Sequence, residues 1–383
     1  GMNSGIGADG ESHSNNTAVG LNTLRAIETG SENVSVGKDS MYDANTASGV
    51  TAVGVESAYN ITSGSESVAI GKQSLYTATT VGANTAVGYQ ALKLNTVASN
   101  TAVGHSAGFS TTGTLNCYFG ASAGSGGSGA ETNNVGIGAS ALLSVTSGSY
   151  NTVIGAYAGD ALTTTNNCTL IGRAAGSGIN STDANETVCV GNDSGEALTS
   201  AQHTTAIGYK ALGGNSTGDN NTALGHQALL TCTGGNNTAI GQGAMVDLVE
   251  GTDNVAIGKG AFGGALNTDA DASVGNVFMG KDAGGGGWTS PVSNYNVGIG
   301  MQSMDAAMAG ALYNVGLGYV TLSSLTSGDH NTALGTGAGA AINTGSNNTI
   351  IGSGAGDLIT DTSSTVIIGY QAGDAINSTD ADG

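Results

Sequence analysis

The sequence is poor in the residues that build ordinary cores and ordinary surfaces. It has one Pro, one Trp and four Phe in 383 residues, and only 9% of its residues are charged. Without Pro, and without Gly at every third position, the 67 glycines are not collagen. So little aromatic volume argues against a conventional globular core of this length. Low charge with recurrent Val, Ile, Leu and Ala argues equally against disorder. Only 8 residues are Lys or Arg against 28 acids, a net charge of −20. That balance excludes nucleic acid and anionic membrane surfaces as natural partners. No apolar run approaches the roughly 18–20 residues of a membrane span, so no membrane insertion is expected. No signal peptide or lipidation motif is visible. The four cysteines, at 117, 168, 189 and 232, form no metal-type pair and are expected to be free.

What is present is a repeat. Asn-Thr-Ala-Val-Gly or a close variant ends on glycines 20, 37, 54, 71, 88, 104, 120, 138, 155, 172, 191, 208, 225, 241, 258, 280, 300, 318, 335, 352 and 369, mostly 16–18 residues apart. These 21 anchors read as one repeat domain over 1–383. It would have a degenerate first coil at 1–15, regular coils over 16–383 and enlarged turns at 259–299. About 17 residues hold two short strands and two turns, one coil of an all-β parallel solenoid (a β-roll) of about 21 coils.

Positions are counted from the anchor glycine. Position −1 is always large and apolar, and −3 is Thr or Val in 20 of 21 coils. Period-two alternation puts −3 and −1 on one face, expected to be the core, so Val19, Val36, Val53, Ile70 and Val87 should form a buried column. Position +3 is always Ala, Ser or Thr. Position +4 is usually large and apolar (Leu75, Leu92, Leu142, Leu229, Met245) in one kind of coil and Gly in the other, there often with Leu or Ile at +7 (Leu162, Leu198, Ile342, Ile359). Position −4 is Asn in 15 of 21 coils, which predicts a coil-to-coil amide ladder. Asn-x-Thr/Ser strings also read as glycosylation acceptors, but the ladder already explains them. Tyr42, Tyr59 and Tyr76 share position +5 and should stack.

Position −2 carries no charge in any coil and is Ala in ten. On this face assignment it points outward, an apolar stripe along a rod of roughly 100 Å at about 4.8 Å per coil. Such a stripe calls for burial against another chain. Ala86, Ala102, Ala223, Ala239, Ile350 and Ile367 are the interface candidates.

The string Asn-Thr-Ala-Val-Gly-x-x-Ala-Leu, at 84–92 and with Leu224 at 221–229, resembles repeats of bacteriophage tail fibres and related bacterial surface proteins. The segment Ser67-Val68-Ala69-Ile70-Gly71-Lys72-Gln73-Ser74 is similar to the head repeat of trimeric autotransporter adhesins. The likeness covers essentially the whole chain. It implies a left-handed parallel β-roll, a side-by-side homotrimer, and host attachment on a virion tail or at the extracellular cell surface, with a host glycan or receptor as partner. The coils are longer than the adhesin head's, and no stalk, membrane anchor or C-terminal chaperone domain is recognisable. Phage fibre and adhesin therefore both fit.

No enzyme is expected. Neither Ser-His-Asp nor HExxH spacing accompanies the five His residues, and the recurrent GxG lacks the helix that phosphate binding needs. No cofactor is expected. Asp269, Asp271, Asp380 and Asp382 read as solvated turn acids, with a structural calcium as the minor alternative. The coils between glycines 258, 280 and 300 are enlarged and hold the only Trp and only Pro. Trp288 is the binding candidate, with a plug between subunits as the bland reading. Function therefore reads as a non-enzymatic fibre segment in host or surface attachment. The alternatives are a purely structural spacer shaft whose tip lies elsewhere, or an ice-binding solenoid. Ice binding needs an outward, regular Thr face, whereas Thr at −3 paired with Val or Ile at −1 reads as a core.

Overall fold

The computed structural model describes all residues except 1, 3, 4, 6–12, 128, 182, 183, 215, 216, 265–271 and 374–383. Among the described residues every regular element is a β-strand. There are twenty-one strands of three residues each, from Thr17–Val19 to Val366–Ile368. Each occupies positions −3 to −1 of one coil. The chain divides into two compact units, Gly1–Val190 and Gly191–Gly383, both built of this coil. Within each unit successive strands pair in parallel and in direct register, for example Thr17↔Val34 and Val19↔Val36 in the first, Ala223↔Ala239 and Leu224↔Ile240 in the second. The protein is a parallel β-solenoid, as the periodicity requires.

Backbone hydrogen bonds run along the solenoid axis from coil to coil. Gly37 N donates to Val19 O (2.8 Å), Asp39 N to Leu21 O (2.9 Å), and Met41 N to Ser57 O (2.9 Å). Among the described residues the second strand expected in each coil is absent. Its place is taken by a turn in which +2 and +4 adopt the left-handed region, as at Asp39 (φ 56°), Met41 (φ 47°) and Leu92 (φ 48°). Each such residue costs about 1–2 kcal/mol for a side chain with a Cβ. The axial hydrogen bonds of its amide hold it there.

The anchor glycines are required by geometry. Their φ angles lie between 127° and 144°, a region closed to other residues. A Cβ on Gly88 would sit 2.3 Å from Gly104 O in the next coil.

The face assignment expected for the strands is reversed. Position −2 points inward: Ala86, Ala102, Ala223, Ala239 and Ile350 are fully buried within the single chain, and Ile367 nearly so. They are core residues and cannot line an interface between chains. Positions −3 and −1 point outward; Val19, expected in the core, is 56% exposed. Alternation shows which residues share a face, but not which face is inside. The inside is set by volume. The coil encloses little space, and +3, +4 and +7 already project into it, as buried Thr23, Leu24 and Ile27 show. The strand can then add only a small side chain, usually Ala.

Candidate interaction surface

The outward face of the sheet is assembled from −3 and −1. In the first unit it exposes Val19, Val34, Ile70, Phe119, Ile137 and Ile171; in the second, Leu224, Ile257, Val315, Leu317, Leu334 and Ile368. No coil puts a charged residue at either position, although the chain carries −20. Direct register aligns these residues in straight columns, Thr222 beside Thr238 and Leu224 beside Ile240. The sheet thus presents an uncharged face, Thr or Val in most coils at −3 and large apolar side chains at −1, edged by anchor glycines. Five of the eight basic residues (Lys38, Lys72, Arg173, Lys259, Lys281) stand at +1, just beyond those glycines. Charge is displaced to turns, where water solvates it.

Beneath this face the Asn ladder forms as expected. Asn314 N donates to Asn296 Oδ1 (3.0 Å), and Asn314 Nδ2 donates both to Asn296 Oδ1 (3.0 Å) and to Gly328 O (2.8 Å). Asn331 repeats all three bonds one coil on. Each amide therefore ties three successive coils, and it is buried with its bonding capacity used. Cys168 takes the ladder position once. Its N still donates to Asn151 Oδ1 (3.0 Å), and its thiol faces Ala184 O at 3.5 Å. All four cysteines are free; burial pushes the Cys168 and Cys232 thiols up to about 11 and Cys189 higher still.

Aromatic columns stand on the turns. Tyr42, Tyr59 and Tyr76 stack with centroids 5.0 and 5.2 Å apart, as their shared position predicts. The column is longer than expected. Arg25 lies over Tyr42 (5.0 Å), and Lys93 lies between Tyr76 (5.9 Å) and Phe109 (5.7 Å). All six residues occupy +5, a signal present in the sequence for Arg25, Lys93 and Phe109 too. In the second unit Tyr295, Tyr313 and His330 stack at −5, with centroids 5.2 and 5.0 Å apart. Ring faces in both columns are used by neighbours, leaving mainly edges and hydroxyls to solvent.

Trp288, the residue expected to contact a partner, is fully buried. Its ring packs 4.5 Å from Phe262 and edge-on to Phe278 at 5.6 Å. It fills the interior of its own chain, neither contacting solvent nor plugging a gap between subunits. Gly284, in the four-glycine run before it, makes room for the neighbouring Phe278 ring, which a Cβ there would meet at 2.7 Å. Asp269, Asp271, Asp380 and Asp382 lie outside the described residues. Among the described residues no group of three or more His, Cys, Asp or Glu could hold a metal ion. No helix among them is long and apolar enough to cross a membrane.

One packing rule was legible in the sequence and was missed because −2 was placed outside. Seven coils have a large −2 residue: Tyr118, Val153, Leu170, Cys189, Phe278, Ile350 and Ile367. Each has Gly at +4, at 124, 159, 176, 195, 284, 356 and 373. A Cβ on Gly124 would meet the Tyr118 ring at 2.4 Å, and one on Gly176 would meet Leu170 at 2.8 Å. Gly108 and Gly339 accompany a small −2, but each makes room for the large −2 of the next coil, Tyr118 and Ile350.

No family model matches the chain, and no curated protein matches it.

Proposed function

We propose that this chain is a non-enzymatic fibre segment of a phage tail fibre or cell-surface adhesin, assembled as a parallel homotrimer. It would serve in attachment at a virion tail or extracellular surface, holding receptor- or glycan-binding parts at a distance. The observation that carries this reading is the outward face of −3 and −1 residues, aligned in register, with large apolar side chains at −1 and no charge in any coil of a strongly acidic protein. Exposed apolar faces of this kind mark association sites. A second copy repeats at the same coil spacing and brings no charge to be desolvated. The number three comes from the likeness to trimeric repeats. Burial of Trp288 favours the spacer form of this reading, with contact residues elsewhere.

A second reading also has an observation behind it. The Thr-x-Val and Thr-x-Ile pairs point outward, which removes the reason for setting ice binding aside. Against it, −3 alternates between Thr and Val, and −1 ranges in size from Val19 to Phe119 and Met279. An uneven face suits side-chain interdigitation better than a lattice. Light-scattering mass and thermal hysteresis separate the two. A trimer without hysteresis supports the fibre; a monomer that depresses the freezing point would sink it in favour of ice binding.

A further inference from the structure

The core of the first unit holds one hydroxyl cluster whose members bond one another, Thr23, Ser35, Ser40 and Ser57, and one place where several buried polar atoms lack partners. Position +7 is a core position, filled by Ile27, Ile61, Val145 and Leu162 in other coils of this unit. In three successive coils it is Asn95, Thr111 and Gly127. The space over Gly127 is taken by the side chain of Glu131: a Cβ there would lie 2.6 Å from Glu131 Oε1. Glu131 itself stands at −7, where many coils have the turn glycine, and it is fully buried. Its carbonyl is bound by Asn116 Nδ2 (2.9 Å), which fixes the backbone. Its Oε1 accepts from Thr112 N (3.3 Å), a long bond, and Oε2 has no partner. Thr111 Oγ1, Tyr118 Oη and Asn95 Nδ2 are also buried without partners.

We infer that Glu131 is a proton-sensitive latch, whose neutral carboxyl holds the backbone at Thr112 against this interior and whose ionisation releases it. A neutral carboxyl can share this interior with hydroxyls and apolar side chains. A carboxylate there has no cation to meet it; Thr111, Thr112, Asn116, Gly127 and Tyr118 bring none, and Tyr118 is the only titratable group among them. Desolvation raises the Glu131 pKa from 4.5 to about 7, and burial raises Tyr118 far enough to keep it neutral. Because the folded-state pKa is raised, the stability this group contributes is full below the unfolded value. It is lost as pH rises through the folded one. The latch is independent of the fibre reading and holds for the single chain.

The test compares wild type with Glu131→Gln, which keeps the neutral shape, between about pH 5.5 and about pH 8.5. Wild type should lose melting temperature relative to the variant as pH rises. Protection factors at Thr112 and its neighbours, corrected for the intrinsic rise of amide exchange with pH, should fall in wild type alone. Parallel pH profiles for the two proteins would overturn the latch. Should Glu131→Gln fail to fold, infrared spectra of 13C-glutamate-labelled wild type decide the matter. A protonated Glu carboxyl persisting to near-neutral pH supports the latch, and complete ionisation by about pH 5.5 refutes it.

Discussion

A methyl group on the α-carbon of Gly88 would lie 2.3 Å from a backbone oxygen that cannot move without breaking the next coil. Gly88→Ala should therefore cost about 3 kcal/mol or more, from forbidden φ and backbone clash together. Gly243 gives the control. Its φ is 63° with open space around the missing Cβ, so Gly243→Ala should cost only about 1–2 kcal/mol. Urea midpoints of the two variants check this, and equal losses would disprove the steric account. The ladder amides are a second kind of single-residue dependence. Asn314→Ala leaves Asn331 N and Gly328 O without the partners they now have. It should destabilise by about 2–4 kcal/mol. Trp288→Ala empties a buried aromatic site and should cost about 3–5 kcal/mol. A variant with unchanged stability would mean that the Trp288 cluster does not hold the second unit together.

Within the coil, −2 and +4 compete for the same interior volume. Ala223→Leu alone overpacks the coil and should cost about 1–3 kcal/mol. Leu229→Gly alone leaves a void. Combined, the two recreate the arrangement of Leu170 with Gly176, and the double variant should be more stable than additivity allows by at least about 1 kcal/mol. Thermal unfolding of the four proteins measures the coupling, and strict additivity would show that these positions do not share space. The same competition explains the two kinds of coil. A left-handed +4 is cheap for Gly and strained for Leu, so the coils with Leu accept local strain in exchange for burying a large side chain.

Across the molecule, the reading of function rests on which side of the sheet is which, and one strand can test it. Ala256 and Ile257 are neighbours in Val255–Ile257; Ala256 is buried and Ile257 faces out. Ala256→Glu should unfold the coils around it, because a charge would enter the core. Ile257→Lys should leave the chain folded with a near wild-type circular dichroism spectrum, while light scattering shows the oligomer weakened or lost. If Ile257→Lys keeps full oligomeric mass, the outward face is not the association surface.

The repeat, the parallel register, the anchor glycines, the Asn ladder and the tyrosine stack were all legible from the sequence. Each follows from identical residues recurring at identical coil positions, and stacking converts that recurrence directly into columns. The sense of the strand was not legible. Val19, Ile70 and Leu224 are apolar enough for a core, and Ala86 and Ala223 small enough for a close-packed surface; hydrophobicity alone placed them the wrong way round. Only the tertiary structure decided it, because the deciding quantity is the volume enclosed by one coil, which depends on the turn path through +2 and +4. Trp288 likewise lies inside because Phe262 and Phe278, from elsewhere in the chain, pack against its ring. Local pattern determined what stacks on what; enclosed volume determined what faces water.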